Sequence, residues 1–346
     1  MQGLVLSGTN NLFTVLGEDK VRRLCSLKGK RLKDQKGAYN ALAAGDQVEY
    51  SIDPAHPERG LVNALVPRRS VFGRYNEKGR AEQALASNID AVACITSPGL
   101  PPFRPRFIDR VAVLAEAARV PLLIVVNKCE LGVTPEIEER LADYVRLGYR
   151  RILVSALRGD GLDELRSALR GRTTVFAGQS GVGKSSLLNA LSPGLNRRVG
   201  EISQKYARGK HTTTMAELLI LEAEDMRIID TPGVRRLALR GIDPGILDAY
   251  FPELAQLAPQ CEYGLSCTHQ DESGCRIARA VDDGAILADR FESYLRIRTE
   301  LATTAEYAPR EGRRVLTKAR GDGARRARRS SGLTGKTAGQ GEQDDE

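Results

Sequence analysis

Thr173-Thr-Val-Phe-Ala177-Gly178-Gln-Ser-Gly-Val-Gly183-Lys184-Ser185 reads as a buried strand that runs straight into a GxxxxGK[ST] loop. Leu187, Leu188 and Leu191 come next, at spacings that put them on one side of a helix opening at that loop. The glycines let backbone N–H groups curl around phosphate oxygens, and a helix N-terminus adds favourable dipole charge. Lys184 is placed to reach β- and γ-phosphates, and Ser185 to hold Mg²⁺. Gly178, Gln179, Ser180, Gly181, Val182, Gly183, Lys184, Ser185 and Ser186 are therefore the candidate nucleotide-binding run.

Outward from this loop, short apolar runs alternate with helical stretches between about residues 71 and 243. The candidate strands are Ile89 to Thr96, Leu122 to Val126, Arg151 to Val154, Thr173 to Ala177, Leu218 to Leu221 and Met226 to Ile229. Between two of them Ile137, Leu141, Tyr144 and Val145 recur at helical spacing, ended by Gly148. Such alternation predicts an α/β domain with a doubly wound, mostly parallel sheet and its ligand site at the carboxyl ends of the strands.

Three strand ends carry further polar motifs. Asp230-Thr-Pro-Gly233 comes after Met226 to Ile229; its carboxylate suits a Mg²⁺ water shell, and the Gly233 N–H suits a γ-phosphate. Lys210-His211-Thr-Thr213-Thr suits a switch loop with a Mg²⁺-binding hydroxyl, for which Thr213 is the candidate. Asn127-Lys128-Cys129-Glu130 comes after Leu122 to Val126 and resembles the guanine-reading NKxD element, with Glu in place of Asp. A carboxylate there accepts the paired N–H donors of guanine, which adenine lacks. Ser155-Ala156 resembles the accessory loop beside guanine O6. A polar strand cap is the plainer alternative for Asn127 to Glu130. In most GTPases the phosphate loop comes first, whereas here Asn127 and Ser155 precede Gly178. The chain looks like a circularly permuted GTPase domain, in which the Asp230 to Gly233 switch leads directly into the C-terminal domain.

Residues 1–70 hold many short alternating runs separated by turns such as Gly8-Thr9-Asn10 and Asp53-Pro54, and predict a small β-barrel or sandwich. Residues 71–243 form the nucleotide domain, 244–310 a small C-terminal domain, and 311–346 a basic tail expected to be disordered. In that third segment Cys261, Cys267, His269 and Cys275 offer three thiolates and an imidazole. Such a donor set fits one tetrahedral, structural Zn²⁺, a redox cysteine group being the alternative.

The 346 residues carry 52 Lys/Arg against 44 Asp/Glu, and the excess is concentrated. Eight Lys/Arg and one acid lie between Lys20 and Lys36, and nine Lys/Arg and one acid between Arg313 and Lys336. Clustered cations suit a polyanion, a solvated strand face plus a disordered tail being the plainer alternative, and on a small barrel Lys28, Lys30, Arg31 and Lys33 are candidate RNA contacts. With only Phe13, Tyr39 and Tyr50 as aromatics in the first 70 residues, backbone and shape binding is expected over base stacking. No apolar run approaches the roughly 20 residues that span a bilayer, so no membrane role and a cytoplasmic location are expected.

Taken together these residues resemble the ribosome small subunit-dependent GTPase A (RsgA/YjeQ) family. The resemblance covers about residues 1 to 305 and rests on five features. They are the permuted motif order, GQSGVGKSSLLN at Gly178 to Asn189, GKHTTT at Gly209 to Thr214, DTPGV at Asp230 to Val234, and the Cys/His cluster followed by SYLRI at Ser293 to Ile297. It implies an N-terminal OB-fold, a central permuted GTPase and a C-terminal zinc domain. It also implies GTP hydrolysis to GDP, stimulated by the small (30S) ribosomal subunit and its 16S rRNA, late in maturation of that subunit, by a monomeric protein. In the family a switch histidine is proposed to assist catalysis, a role that would fall on His211 beside Lys184. The chain departs from the family pattern in Glu130, in place of the usual Asp, and in Lys210, where Arg is frequent. Val234 stands where many GTPases carry a water-orienting Gln, so slow intrinsic hydrolysis and strong stimulation by a partner are expected. A non-catalytic, nucleotide-gated binding module and a zinc-containing DNA-binding regulator are the competing readings.

Overall fold

The computed structural model describes residues 1–9, 11–28, 38–76, 80–195, 216–231, 237–239, 241–270 and 272–306. The chain divides into two units, Met1–Leu301 and Ala302–Glu346, and the architecture is that of the first.

Alternation of buried and exposed side chains makes strands of β1 (Gln2–Thr9), β2 (Leu12–Gly17), β3 (Arg22–Leu27), β4 (Gln47–Ile52) and β5 (Arg59–Leu65). They close into a barrel in the order β1-β2-β3-β5-β4, with β3 parallel to β5 and β1 pairing back onto β4. The inward residues Val5, Phe13, Val15, Cys25, Val48, Tyr50 and Val62 fill it. Closure decides between the two expected forms, since it leaves an OB-type barrel and no open sandwich edge.

Next comes a hairpin, β6 (Val71–Asn76) with β7 (Ala81–Ser87), which the apolar pattern does not announce. The central sheet contains β8 (Ala91–Thr96), β9 (Leu122–Asn127), β10 (Arg150–Val154), β11 (Thr173–Gly178), β12 (Glu217–Leu221) and β13 (Met226–Asp230). Its order is β10-β9-β8-β11-β13-β12, parallel throughout except for the β12–β13 pair. Helices α1 (Pro105–Ala118) and α2 (Pro135–Arg146) cover one face, with Ile108, Val111, Leu141 and Tyr144 in its core. Helices α3 (Leu162–Leu169) and α4 (Lys184–Leu191) cover the other through Leu165, Leu187, Leu188 and Leu191. Each such leucine contributes about 1.5–3 kcal/mol by leaving water. Val145, expected on the inner stripe of α2, is exposed, because eight residues past Ile137 the helix has turned it off the sheet.

The C-terminal part adds α5 (Pro252–Leu257), α6 (Arg276–Asp282) and α7 (Ala288–Glu306). Its core joins Leu239, Leu247, Phe251, Tyr294 and Ile297 to Val113 of α1. A buried charge cluster ties it to the sheet domain. Asp109 of α1 accepts from Tyr144 Oη at 2.6 Å and from Arg290 Nη1 at 2.5 Å, while Arg290 Nε reaches Glu253 at 2.7 Å. Removing one member would leave a buried charge unpaired, which is strongly destabilising. Among the described residues no helix is long and apolar enough to cross a membrane.

Candidate nucleotide site and metal cluster

The strand order reverses between β8 and β11, which are parallel: β8, β9 and β10 step one way across the sheet, and β11 and β13 the other. The crevice at that reversal is where an open α/β sheet places a ligand. The loop after β11 sits there. Gly178 packs so closely that an added Cβ would lie 2.6 Å from the Ile95 carbonyl oxygen. Gly181 and Gly183 adopt φ of +85° and +91°, which side chains rarely tolerate, and α4 starts at Lys184 directly after them. Gln179, Ser185 and Ser186 are half-buried at this turn, and Ser180 is exposed.

Lys184 is buried and bends back over its own loop, where Nζ donates to Gly178 O at 2.8 Å and to Gln179 O at 3.3 Å. Burial pushes its pKa down, with the nearby Asp230 carboxylate opposing that shift. Two carbonyl dipoles hold the ammonium, which is the arrangement expected of a cation waiting for phosphate oxygens. Asp230, at the carboxyl end of β13, pairs in register with Phe176 and is buried beside the loop. Thr231 anchors the chain just beyond it, donating from Oγ1 to Phe176 O at 2.7 Å.

The end of β9 meets this loop through Asn127 and Lys128. Asn127 is 1% exposed. Its Nδ2 donates to Val182 O at 2.9 Å, and its Oδ1 accepts from Ala156 N at 3.1 Å. Lys128, in the left-handed region at φ +66°, donates from Nζ to Gly181 O at 2.8 Å and to Leu100 O at 2.5 Å. Glu130 is half-buried, and its hydrogen bond from the Ser155 hydroxyl is the leading cause that draws its pKa below the ordinary carboxylate value. Its other oxygen, Oε2, is buried with no hydrogen-bond partner. An ionised carboxylate with a buried, unsatisfied oxygen suits a ligand that brings N–H donors.

Thus Asn127, Lys128, Glu130, Ser155, Ala156, Gly178 to Ser186 and Asp230 come together from four strand ends, those of β9, β10, β11 and β13. His211, Thr213 and Gly233, and the basic residues Lys30, Arg31 and Lys33, lie outside the described residues. Lys28 is exposed just past the end of β3, with its N–H bonded to Val62 O. Sequence reading missed the contribution of Leu100, whose carbonyl completes the hold on Lys128. Its Pro-Gly-Leu-Pro-Pro surroundings signalled a turn, but nothing local said which cation the turn would face.

In the C-terminal part, one ligand atom from each of Cys261, Cys267, His269 and Cys275 lies within 4.8 Å of the others. His269 Nδ1 is 3.7 Å from Cys261 Sγ and 3.6 Å from Cys275 Sγ, and those two sulfurs are 4.0 Å apart. A tetrahedral ion with Zn–S near 2.3 Å and Zn–N near 2.0 Å would place its ligands about 3.5–3.8 Å from one another, so the cluster fits one such ion closely. Burial keeps the His269 imidazole neutral, as a ligand must be. Cys275 also caps α6, its sulfur accepting from Ala278 N at 3.3 Å. Cys25 and Cys94 are buried in other cores and Cys129 lies in the base-side loop.

The RsgA GTPase family model matches residues 65–240. A curated small ribosomal subunit biogenesis GTPase RsgA from Chlorobaculum parvum is 39% identical over 85% of this chain and 96% of its own. Its counterpart from Borrelia garinii subsp. bavariensis is 36% identical over 88% and 97%. Among solved structures, YjeQ from Thermotoga maritima superposes with a TM-score of 0.66 at 31% identity, covering 87% of this chain and 98% of that one. YloQ, described as a circularly permuted GTPase, gives 0.62 at 26% identity, over 89% and 96%.

Proposed function

The chain belongs to the RsgA GTPase family, and we propose that it hydrolyses GTP in a site built by Asn127, Lys128, Glu130, Ser155 and Ala156 on the base side. On the phosphate side the proposed site takes in Gly178 to Ser186 and Asp230, with Gly233 as the candidate from the sequence. As a family member it is a GTP phosphohydrolase serving small ribosomal subunit biogenesis. The observation that carries the site assignment is Asn127, whose one amide is bonded to both the phosphate loop and the Ser155-Ala156 loop.

Lys184 leaves the Gly178 and Gln179 carbonyls to neutralise β- and γ-phosphate oxygens, and backbone N–H groups of the loop cradle the rest. The Ser185 hydroxyl, the Asp230 carboxylate and a switch threonine, with Thr213 the candidate, form a hard-oxygen set suited to Mg²⁺, which supplies charge neutralisation on the triphosphate. Val234 cannot orient water, so His211 is the group proposed to do so, within a switch completed by the partner. Cys261, Cys267, His269 and Cys275 would hold one structural Zn²⁺.

The same reading gives a cytosolic monomer that engages 16S rRNA of the 30S subunit through the barrel loop with Lys28, Lys30, Arg31 and Lys33. It divides the chain into a barrel (1–70), a GTPase domain (71–243), a zinc domain (244–310) and a basic tail (311–346). The test is GTP and ATP turnover by the purified protein, with and without small ribosomal subunits at fixed salt. Turnover restricted to GTP and raised strongly by subunits is the expected result. Equal use of both nucleotides, indifferent to subunits, would overturn both the base-reading and the ribosomal assignments.

A further inference from the structure

The segment that leaves the switch is held from three sides. Arg110 of α1 donates from Nη1 to Leu237 O at 2.9 Å. Tyr75 N of β6 donates to Ala238 O at 3.0 Å. Leu239 N donates to Glu300 Oε1 of α7 at 3.2 Å. Arg110 and Glu300 are themselves paired through two bonds, at 2.5 and 3.2 Å, with about four-fifths of each side chain buried. Leu237 and Leu239 are each 1% exposed but belong to different cores, the first with the sheet domain and the second with Phe251 and Tyr294 of the C-terminal part.

We propose that Arg110 and Glu300 are positioning residues for GTP hydrolysis, forming a latch through which helix α7 sets the placement of the switch. A partner that engages the C-terminal part raises turnover by acting on this latch. The inference rests on the assignment of GTP hydrolysis and names the route by which stimulation reaches the site.

The chain makes the coupling direct in sequence. Thr231 is fixed to Phe176 by its hydroxyl, Leu237 is fixed by Arg110, and five residues of sequence, 232–236, join those two anchored points. A displacement of α7 carries Glu300, then Leu239 and Leu237, the residues that follow the switch in the chain. Misplacement of a catalytic group by about 1 Å can cost about 100-fold in rate, so a small movement here suffices. Coupling of this kind needs an element that both sites bias, and the 237–239 segment, buried in both cores, is such an element.

A second ion pair supplies the control. Arg106 of α1 pairs with Glu292 of α7 at 2.5 Å, and Glu292 turns its other oxygen to Arg296 on its own helix rather than to residues 237–239. Arg110→Ala, Arg110→Lys, Glu300→Gln and Arg106→Ala are compared for GTP turnover with and without small subunits, GDP affinity, zinc content and melting temperature. The latch requires Arg110→Ala to lose about tenfold in kcat and in stimulation, with KM and GDP affinity within about twofold and zinc retained. Arg110→Lys keeps the charge but not the two-way reach, and Glu300→Gln keeps an acceptor for Leu239 but not the ion pair, so both fall between. Arg106→Ala behaves as wild type.

If Arg110→Ala does not fold, the two conservative variants decide. Wild-type kcat and stimulation in a folded Arg110→Ala, or in both conservative variants, would sink the latch, as would an equal loss in Arg106→Ala. Absence of GTP turnover in the wild type would instead overturn the hydrolysis reading on which the latch depends.

Discussion

The side-chain amide of Asn127 donates to the main-chain carbonyl of Val182 at 2.9 Å, joining the base-side loop to the phosphate loop across 55 positions of sequence. Asn127→Ala removes this bond and strands the Ala156 N–H as well. Two buried groups left unpaired cost about 2–4 kcal/mol together. The expected outcome is a fall of at least about tenfold in GDP affinity by titration calorimetry, with a lower melting temperature even without nucleotide. An Asn127→Ala protein with unaltered affinity would show that the loops hold each other by other means.

Lys184 carries a conflict between stability and function. Burial depresses its folded-state pKa below the ordinary value of 10.5, so below that folded pKa it is charged in both states and the full desolvation cost is present. The cost is relieved as pH rises through the folded pKa. Lys184→Met therefore leaves the nucleotide-free protein at least as stable as wild type at neutral pH, with the difference shrinking at alkaline pH. Turnover should fall by about 100-fold or more. Parallel melting curves and single-turnover assays check both halves.

The proposed reading of guanine by Glu130 requires an ionised carboxylate, and the Ser155 hydroxyl holds its pKa down. Loss of that hydrogen bond raises the folded pKa toward the ordinary value, so guanine preference fails at a higher pH as the solution is acidified. Ser155→Ala should shift the acid limb of GDP binding upward. Glu130→Gln, which cannot accept both guanine donors as an anion does, should lower the GTP-over-ATP ratio by about 100-fold. Competition binding across about pH 4 to 7 separates the two effects, and a ratio unmoved by Glu130→Gln would exclude this residue from base recognition.

Metal content is expected to be one zinc per chain by elemental analysis. Cys275→Ser deletes a ligand and weakens the cap of α6, so it should release the metal and cost about 4 kcal/mol or more. Chelation of the wild type should reproduce the loss of the C-terminal core around Tyr294, whose ring centre lies 6.2 Å from that of His269. GDP binding, seated in a different core, should outlast both treatments.

What could be read from residues alone depended on how local the signal was. The phosphate loop and the Cys261 to Cys275 cluster are short runs whose residue types and spacing name their chemistry. All six predicted strands of the sheet appear within two residues of their expected ends, five of them because buried parallel strands are largely unbroken apolar runs, and the antiparallel edge strand β12 because its Leu-Leu-Ile-Leu run is equally apolar. The β6–β7 hairpin escaped, since Ala81-Glu-Gln-Ala-Leu-Ala-Ser carries neither β-branched residues nor a clean alternation. Pairs such as Arg110 with Glu300, 190 positions apart, leave no trace in sequence. Each looks like any charged residue on a helix until the two helices pack.

The permuted order also sets a timetable for biosynthesis. A ribosome making this chain from its N-terminus completes β8, β9 and β10, with Asn127 and Glu130 at their ends, before β11 exists. Until then the edge of β8 lacks its neighbour and Asn127 has no Val182 to hold. On the proposed assignment the nucleotide site is complete only once Asp230 and Gly233 have been translated, and Cys261, Cys267, His269 and Cys275 emerge after that. The order of translation therefore puts completion of the proposed nucleotide site ahead of completion of the proposed metal site.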